Sequence, residues 1–269
     1  MKKTKSLTLQ EEYVKKHKRH HFFINVARST VFVAFLVIWE LLARFDIIDA
    51  FFFSSPTGVV KCAYKMILDL TLFTHIFVTL YETIISFLLV IGIGILVASL
   101  LWFSKTLSEI IEPTLVILNS LPKSALAPLF IVWLGTGAKT IIIAGISVAI
   151  FGCIISLYSG FSETDKDKLM MIETLGGSRF QAFTKVVLPS SIPVILSTIK
   201  VNIGLSLVGV IIGEFLAARN GLGYLIIYGS QVFKLDLVIM SIVILCIIAT
   251  ALYKIIQVLE HQYKKKMVS

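Results

Sequence analysis

Long apolar runs, separated by short polar segments, dominate the pattern of residues along the chain. A run of about 20 apolar residues matches the roughly 30 Å hydrocarbon core of a bilayer, and the chain contains about six such runs. We expect membrane-spanning helices at about residues 22–43, 76–103, 114–134, 140–160, 192–216 and 237–258. The pattern therefore predicts an all-α, polytopic membrane protein.

The polar segments divide the chain further. We expect a basic arm, a transmembrane domain and a basic tail, at residues 1–21, 22–258 and 259–269. Between the first two runs, residues 59–69 are typical of a short amphipathic helix, with Pro56 as its start signal. Pro122 and Pro128 interrupt the third run, and each removes a backbone donor and kinks a helix. Because the freed groups need partners, we expect that span to face the interior of the bundle.

Composition supports the membrane interpretation. Apolar residues make up 57% of the chain and charged residues 15%, against about 45–50% and about 25% in soluble domains. The net charge of +9 does not indicate nucleic-acid binding, because Lys and Arg lie at the ends of the apolar runs, where they act as topology signals beside anionic lipid. With the N-terminus inside, most of the 25 Lys and Arg residues fall in inside segments. The positive-inside rule therefore predicts that both termini are cytoplasmic.

Candidate catalytic and metal-binding groups are missing from the sequence. Cys62, Cys153 and Cys246 are scattered and form no Cys-x-x-Cys pair, and the five histidines form no cluster near a span end. A Gly-x-x-x-x-Gly-Lys-Ser/Thr phosphate loop is missing too, so this chain does not hydrolyse ATP by that route. We expect no catalytic residue, no metal and no cofactor bound by this chain.

The polar segment 161–190, between the fourth and fifth runs, carries the most informative pattern. Residues 170–174 favour one helix, and Gly176 and Gly177 break it. Ser178 is a suitable cap for a second helix, which we expect over residues 179–187 with Pro189 ending it. The segment therefore predicts a helix–turn–helix across the cytoplasmic membrane face. Its apolar side chains available to a partner are Met170, Met171, Phe180 and Phe183.

This segment resembles the coupling loop, often called the EAA loop, of ABC importer permeases. The family pattern is Glu-Ala-Ala, three residues, Gly, nine residues and Ile-x-Leu-Pro. Gly176 matches the glycine, and Val186, Leu188 and Pro189 match the end of the pattern. Met170, Met171 and Ile172 stand where Glu-Ala-Ala is usual. The resemblance implies an ATPase-coupling loop made of Met170, Met171, Ile172, Gly176, Gly177, Ser178, Phe180, Phe183, Leu188 and Pro189.

Three further stretches are similar to the nitrate/sulfonate/taurine-type permeases. They are residues 53–57 before the short helix, 128–137 at the end of the third run and 213–226 at the end of the fifth. The resemblance covers nearly the whole chain after residue 30. It implies a permease in the bacterial cytoplasmic membrane, paired with a second permease chain as a homodimer. Its partners would be cytoplasmic ATPase subunits, which use the ATP, and an extracytoplasmic solute-binding protein.

Charged residues within the runs are candidates for contact with the solute, because burying a charge in a membrane is costly. Lys123 follows Pro122 and could meet an anionic solute, with hydrogen bonds from Asn119 and Ser120. The alternative is that Lys123 pairs with another span or with backbone carbonyls. Glu82 is expected near the outer end of its span, where water reaches it. Glu214 is expected to stabilise the turn that follows it or a neighbouring helix.

The sequence leaves more than one solute class as an alternative. The resemblance implies a small sulfonate, taurine or nitrate, and the alternative is a vitamin precursor such as a thiamine pyrimidine or riboflavin, carried by the same machinery. Inverted repeats and ion-binding residues near the midplane of the membrane would indicate a secondary transporter driven by an ion gradient. We find neither in the sequence. A membrane enzyme would need a His, Asp or Cys cluster near a span end. The importer permease is the hypothesis that also explains the coupling loop.

Overall fold

The computed structural model describes residues 9–268, which form thirteen α-helices and one π-helical turn with no strand among them. The helices are α1 Leu9–Arg44, α2 Ala50–Phe53, α3 Pro56–Leu68, α4 Thr71–Phe103, α5 Lys105–Ser120, α6 Lys123–Leu134, α7 Ala138–Ser162, α8 Lys166–Thr174, α9 Arg179–Ala182, α10 Leu188–Ser190, α11 Ile192–Ala217, α12 Leu222–Gln231 and α13 Leu235–Val268. The π-helical turn, Phe183–Val187, joins α9 to α10.

Five helices of the described chain are long and apolar enough to cross a membrane: α1 from Phe22, α4, α7, α11 and α13 as far as Tyr263. The pair α5 and α6 passes the same test when it is taken as one broken span, which gives six crossings. The prediction of an all-α protein with about six spans is therefore confirmed. The short helix α3 is confirmed as well, and the side chain of Ser55 caps it by accepting from the Gly58 N–H.

The third span, which the sequence predicts as one kinked helix over residues 114–134, is two separate helices in the structure. Helix α5 already begins at Lys105, where Ser104 caps it, so the expected polar connector is helical. Helices α5 and α6 meet at an angle of 95°. The break falls at Leu121, whose ψ of 139° is the extended conformation that a residue before proline prefers. Pro122 therefore ends a helix, while Pro128 lies inside α6 without breaking it.

The core is built by α4, α7 and α11. Helix α7 is the most buried span, with half of its most apolar stretch inside the chain. A cluster of Val90, Ala98, Cys153, Leu157 and Phe161 fills the space between α4 and α7. Helices α7 and α11 come close enough that a Cβ on Gly209 would lie 2.8 Å from the Cα of Gly145. Small residues therefore set the spacing of the core, as in many membrane bundles.

The two ends of the bundle carry different elements. One end, called here the cap end, carries α3 and the short helix α12, which the sequence pattern did not predict. The other, called here the loop end, carries α8 to α10. Helix α1 lies at the periphery, with Phe32 and Phe35 more than half exposed. It is tied to the start of α3 where Glu40 accepts hydrogen bonds from the N–H and hydroxyl of Thr57, at 3.1 and 3.0 Å.

Candidate functional site

The segment between α7 and α11 folds as the predicted helix–turn–helix. Helix α8 begins after Asp165, whose side chain accepts from the Asp167 N–H. At the start of α9 the Ser178 hydroxyl accepts from the Gln181 N–H at 3.3 Å, and the Gln181 side chain accepts from the Ser178 N–H at 2.8 Å. This reciprocal capping box satisfies two N–H groups that a helix start leaves unpaired. The second helix is therefore held at its first turn by local sequence.

The turn between α8 and α9 needs glycine at two adjacent positions. Gly176 has φ +75°, a left-handed conformation that costs other residues energy. A Cβ on Gly177 would lie 2.5 Å from the Ile172 side chain and 2.9 Å from its carbonyl oxygen. The first glycine supplies the backbone angle and the second allows α8 to approach. The prediction that this pair breaks the helix is confirmed.

Four apolar side chains project from this segment and are called here the coupling surface: Met170, Met171, Leu175 and Phe180. Their exposed fractions are 63%, 63%, 73% and 65%. Exposed apolar side chains grouped on one small element mark an interaction site more often than isolated ones do. Methionine also adapts its shape to a partner, because its side chain is flexible and polarizable. Leu175 belongs to this surface although the sequence pattern did not single it out.

Phe183 was predicted to be available to a partner, and this prediction is wrong. It is only 7% exposed. Its ring centroid lies 5.2, 5.0 and 5.6 Å from those of Trp102, Phe103 and Phe161. These four side chains, called here the aromatic cluster, join the π-helical turn to the ends of α4 and α7. Of the two phenylalanines of this segment, only Phe180 points outward.

Pro189 does not end the second helix, which is a further correction. The chain continues through the π-helical turn into α10, and the Leu188 N–H bonds to the Phe183 carbonyl, five residues back. A proline ring normally clashes with the carbonyl four residues before it. The wider π-helical turn lies just where that clash would occur. Leu188 and Ile172 are partly buried and add little to the coupling surface, whereas Pro189 is exposed.

The second helix is also tied directly to the end of α4. The Arg179 guanidinium donates to the Trp102 carbonyl at 3.3 Å and lies 5.5 Å from the centroid of the Trp102 ring. A guanidinium over an indole face is an attractive cation–π arrangement. Arg179 therefore connects α9 directly to the end of α4, beside the aromatic cluster that joins the π-helical turn to the same end.

The predicted pathway residues Asn119, Ser120, Pro122 and Lys123 lie together at the break between α5 and α6. The Lys123 Nζ donates to the carbonyl oxygens of Leu118 and Asn119, both at 2.6 Å, and lies 5.5 Å from the Phe151 ring. It thus satisfies carbonyls that the end of α5 leaves unpaired. The structure thus places Lys123 on backbone carbonyls, as in the second of its two interpretations. The Ser120 hydroxyl likewise donates a hydrogen bond to the Val116 carbonyl oxygen.

A cavity with a mostly apolar wall, which the sequence pattern did not indicate, lies between α7 and α11. Its volume is about 450 Å³, and its lining includes Ser156, Ser197, Thr198 and Asn202. Asn119 borders it, since a Cβ on the lining residue Gly152 would lie 3.4 Å from the Asn119 Oδ1. Hydroxyl and amide positions spaced along α11 are a sequence signal that could have found this cavity. They do not stand out, because isolated Ser and Thr are common in membrane helices.

A buried carboxylate organises the cap end. Glu214 is 1% exposed and accepts hydrogen bonds from the Thr79 hydroxyl and the Gly223 N–H, at 2.7 and 2.5 Å. The Leu222 N–H donates in turn to the Thr79 hydroxyl at 2.8 Å. The expected role of Glu214 in stabilising the following turn is confirmed, because it pairs N–H groups at the start of α12. Glu82 is only 2% exposed, so the expectation that water reaches it is wrong.

The comparisons with known proteins identify the class. Residues 90–265 match the family described as "Binding-protein-dependent transport system inner membrane component", and the chain belongs to this family. It is therefore a multi-pass membrane component of a transport system, and the prediction of a transport subunit rather than an enzyme is confirmed. Among the described residues, no group of three or more His, Cys, Asp or Glu is arranged to hold a metal ion.

Three curated relatives bear on the kind of transport. A "Probable ABC transporter permease protein" of Haemophilus influenzae is 30% identical over 85% of this chain and 92% of its own length. The "Putative aliphatic sulfonates transport permease protein SsuC" of Bacillus subtilis is 26% identical over 92% of this chain and 89% of its own. The "Formylaminopyrimidine transport permease protein ThiX" of Halalkalibacterium halodurans is 30% identical over 72% of this chain and 76% of its own.

A solved structure shares the fold. It is the MetNI methionine ABC transporter in an inward-facing conformation, and one of its chains superposes on this chain with a TM-score of 0.62 at 17% identity. The superposition covers 71% of this chain and 95% of that one. The arrangement of spans described above is therefore that of an ABC transporter membrane subunit.

Proposed function

We propose that this chain is the permease subunit of an ATP-driven importer and forms part of the solute pathway, while ATP is bound and hydrolysed by separate cytoplasmic subunits. The coupling surface is the single observation that carries this proposal. An apolar patch on a short helix–turn–helix, held by a capping box and two required glycines, is suited to fit a groove on another protein. Met170 and Met171 stand where the family usually has Glu and Ala, so the groove would receive apolar side chains there.

The solute we propose is a small organic molecule of the sulfonate or taurine type, or nitrate, delivered by an extracytoplasmic binding protein. The similarity to the sulfonate permease SsuC over most of both chains supports this class. The second candidate is a thiamine pyrimidine precursor, which the similarity to ThiX favours. Either solute would be carried by the same kind of importer, and the two candidates differ in the side chains that the solute pathway would need.

The assembly we propose has two copies of this chain, with the loop end and both termini in the cytoplasm. The distribution of Lys and Arg supports this orientation through the positive-inside rule. The exposed apolar side chains of α1, such as Phe32 and Phe35, leave a large surface for lipid or for the second permease chain. The cap end would then face the solute-binding protein.

Co-purification tests the role of the coupling surface. We expect the tagged chain, expressed with its genomic neighbours and gently solubilised, to retain an ATPase that hydrolyses ATP. The double variant Met171→Asp/Phe180→Asp should weaken retention by about tenfold or more, because anchors in a protein interface each contribute about 1.4 kcal/mol or more. The exposed Lys185, on the same segment, provides the control Lys185→Ala, which should retain the ATPase.

Two results would contradict the proposal. One is that the double variant holds the ATPase as well as the control does. The other is that the chain purifies alone and moves solute into vesicles on an ion gradient without ATP, in which case a secondary transporter takes the importer's place.

A further inference from the structure

Two buried carboxyl groups meet toward the cap end of the bundle. Glu82 on α4 and Glu214 on α11 are 2% and 1% exposed, and their carboxyl groups lie within hydrogen-bonding reach of each other. The Thr79 hydroxyl, about one turn of α4 from Glu82, donates to Glu214 at 2.7 Å. The salt bridges of the described chain include neither carboxyl group. Two carboxyl groups therefore face each other in the interior with no basic side chain paired to them.

Adjacent buried carboxylates cannot both carry a charge at low cost. Each ion repels the other, and burial removes the water that would stabilise them. A proton held between the two removes one charge and replaces the repulsion with a charge-assisted hydrogen bond. The contact between Glu82 and Glu214 therefore requires a bound cation, of which a proton is the smallest.

The surroundings of Glu214 favour a proton over a metal ion. A Cβ on Gly223 would lie 2.7 Å from the Glu214 Oε2, and one on Gly221 would meet the same carboxyl group. The backbone at the start of α12 is thus packed directly against it. Ca²⁺ and Mg²⁺ take about six or more oxygen ligands, whereas both oxygens of Glu214 already accept hydrogen bonds from the chain.

The donors around the pair decide which carboxyl group holds the proton. The Glu214 Oε1 accepts from the Thr79 hydroxyl, and its Oε2 accepts from the Gly223 N–H at 2.5 Å. Gly223 lies in the first turn of α12, a helix of ten residues, and the start of a helix favours a negative charge. No donor of the described chain reaches the Oε2 of Glu82. Glu214 is therefore the carboxylate, and Glu82 is the carboxylic acid that donates to it.

The outside of the cap end provides a route for proton exchange. A cavity of about 660 Å³ lies there, and its lining includes His75 and Tyr224. The His75 Nδ1 accepts from the Gly221 N–H at 2.9 Å, so this side chain joins the cavity to the turn that packs on Glu214. The other titratable groups on the neighbouring elements are Lys139 of α7, Arg219 after α11, Tyr224 of α12, and Lys234 and Asp236 beside α13. Of these, Lys139, Arg219 and Lys234 are exposed.

We propose that Glu82 and Glu214 form a proton-binding site that joins α4 to α11 and α12 near the cap end. The Glu82 O–H donates to Glu214, and loss of this proton leaves two negative charges that push the helices apart. The cap end is therefore held together while the proton is bound and loosens as the external pH rises. This site is a property of the chain itself and does not depend on the identity of its partners or solute.

Infrared spectroscopy detects the proton directly, because a carboxylic acid and a carboxylate absorb at different carbonyl frequencies. The purified full-length chain in lipid nanodiscs is compared with its Glu82→Gln variant at neutral pH. We expect the wild-type protein to show an acid band that shifts in D₂O and that the variant lacks. The matched control is Glu40→Gln, because Glu40 pairs with Arg44 at 3.1 Å and is ionised. Its replacement should leave the acid band unchanged.

The dependence of stability on pH provides a second measurement. The native state keeps the Glu82 proton, whereas an unfolded chain releases it near neutral pH, where a free glutamate is ionised. The folding constant of the wild-type protein should therefore fall by up to about tenfold for each unit of rising pH. In Glu82→Gln the amide donates to Glu214 without titrating, so this slope should be lost. Glu82→Leu has no donor and should unfold at a lower temperature than Glu82→Gln at neutral pH.

Amide hydrogen exchange reports on the cap end itself. The Gly223 N–H bonds to Glu214, and the Leu222 N–H bonds to the Thr79 hydroxyl. At alkaline pH we expect both amides to exchange faster in the wild-type protein than in Glu82→Gln. The two proteins are compared at the same pH, so that the intrinsic exchange rates are equal, and at acidic pH they should exchange alike.

The proposal is overturned if Glu82→Gln retains the acid band, if Glu40→Gln removes it, or if unfolding of the wild-type protein and of Glu82→Gln depends on pH equally. Equal exchange of the α12 amides at alkaline pH would overturn the joining of the helices by the proton. A wild-type acid band that persists where stability has already been lost with rising pH would do the same. A response to sodium concentration in place of pH would assign a metal cation to the pair and overturn the proton.

Discussion

Individual residues at the turn between α8 and α9 show how much of this protein is decided locally. Gly176 and Gly177 are required for different reasons, one for its φ and the other for the close approach of Ile172. Both requirements follow from the chemistry of a single residue type, which is why the sequence pattern located the turn correctly. Ser178 belongs to the same category, because its capping partner Gln181 is only three residues away.

Substitution of Gly177 tests the local requirement. Gly177→Ala should lower the stability of the segment by about 1–3 kcal/mol, since its Cβ would press on a backbone carbonyl as well as on a side chain. We expect faster amide hydrogen exchange across α8 and α9 and weaker ATPase retention.

The matched control is Gly92→Ala, a helical glycine with nothing within 4 Å of the added Cβ. Alanine should be neutral or stabilising there by up to about 1 kcal/mol. Equal exchange rates in the two variants would contradict the requirement at Gly177.

Lys123 illustrates the limit of reasoning from one residue. A lysine beside a kink proline in a membrane span suggests contact with an anion. The structure instead turns its ammonium back to the carbonyls of Leu118 and Asn119. The sequence pattern could not choose between these uses, because the choice depends on the 95° bend that exposes those carbonyls.

Whole elements are connected at the loop end by the aromatic cluster. Phe183 on the π-helical turn contacts Trp102 and Phe103 at the end of α4 and Phe161 at the end of α7. Two core helices therefore meet the segment that carries the coupling surface. A partner that moves α8 and α9 would move α4 and α7 as well.

Truncation of Phe183 tests that connection. Phe183→Ala should destabilise the protein by about 3–5 kcal/mol, as expected for a buried aromatic side chain. Because the coupling surface itself is unchanged, we expect ATPase retention to persist while solute uptake per ATP hydrolysed falls.

Phe183→Leu, which fills more of the space, should recover part of the coupling. Thermal unfolding in detergent and the ratio of uptake to hydrolysis in proteoliposomes provide the two measurements. An unchanged ratio in a folded Phe183→Ala variant would show that the cluster only stabilises the loop end.

At the scale of the whole molecule, one ion pair links two spans that the sequence pattern treated separately. The Lys200 Nζ on α11 lies 2.6 Å from the Glu260 Oε2 on α13, with side-chain exposed fractions of 22% and 11%. Charged groups at membrane depth are stabilised by pairing. This pair therefore holds the end of α13 against the core.

Charge reversal tests the pairing. Lys200→Glu should lower the unfolding temperature because two carboxylates would then face each other. The double variant Lys200→Glu/Glu260→Lys should recover much of the loss. Thermal unfolding of both variants in the same detergent makes the comparison. A double variant no better than the single one would contradict the pairing, and Lys254→Glu, on the same helix as Glu260, serves as a control for net charge.

The sequence by itself determined the number of spans, the place of the coupling loop, its glycines and its caps. Each of these depends on the length of an apolar run or on residues within a few positions of one another. Tertiary structure alone decided that Phe180 faces outward and Phe183 inward, that α5 and α6 form a bent pair, and that Asn202 lines a cavity. The physical reason is that lipid and protein core are both apolar, so a membrane helix carries little polar pattern to reveal which face packs against its neighbours.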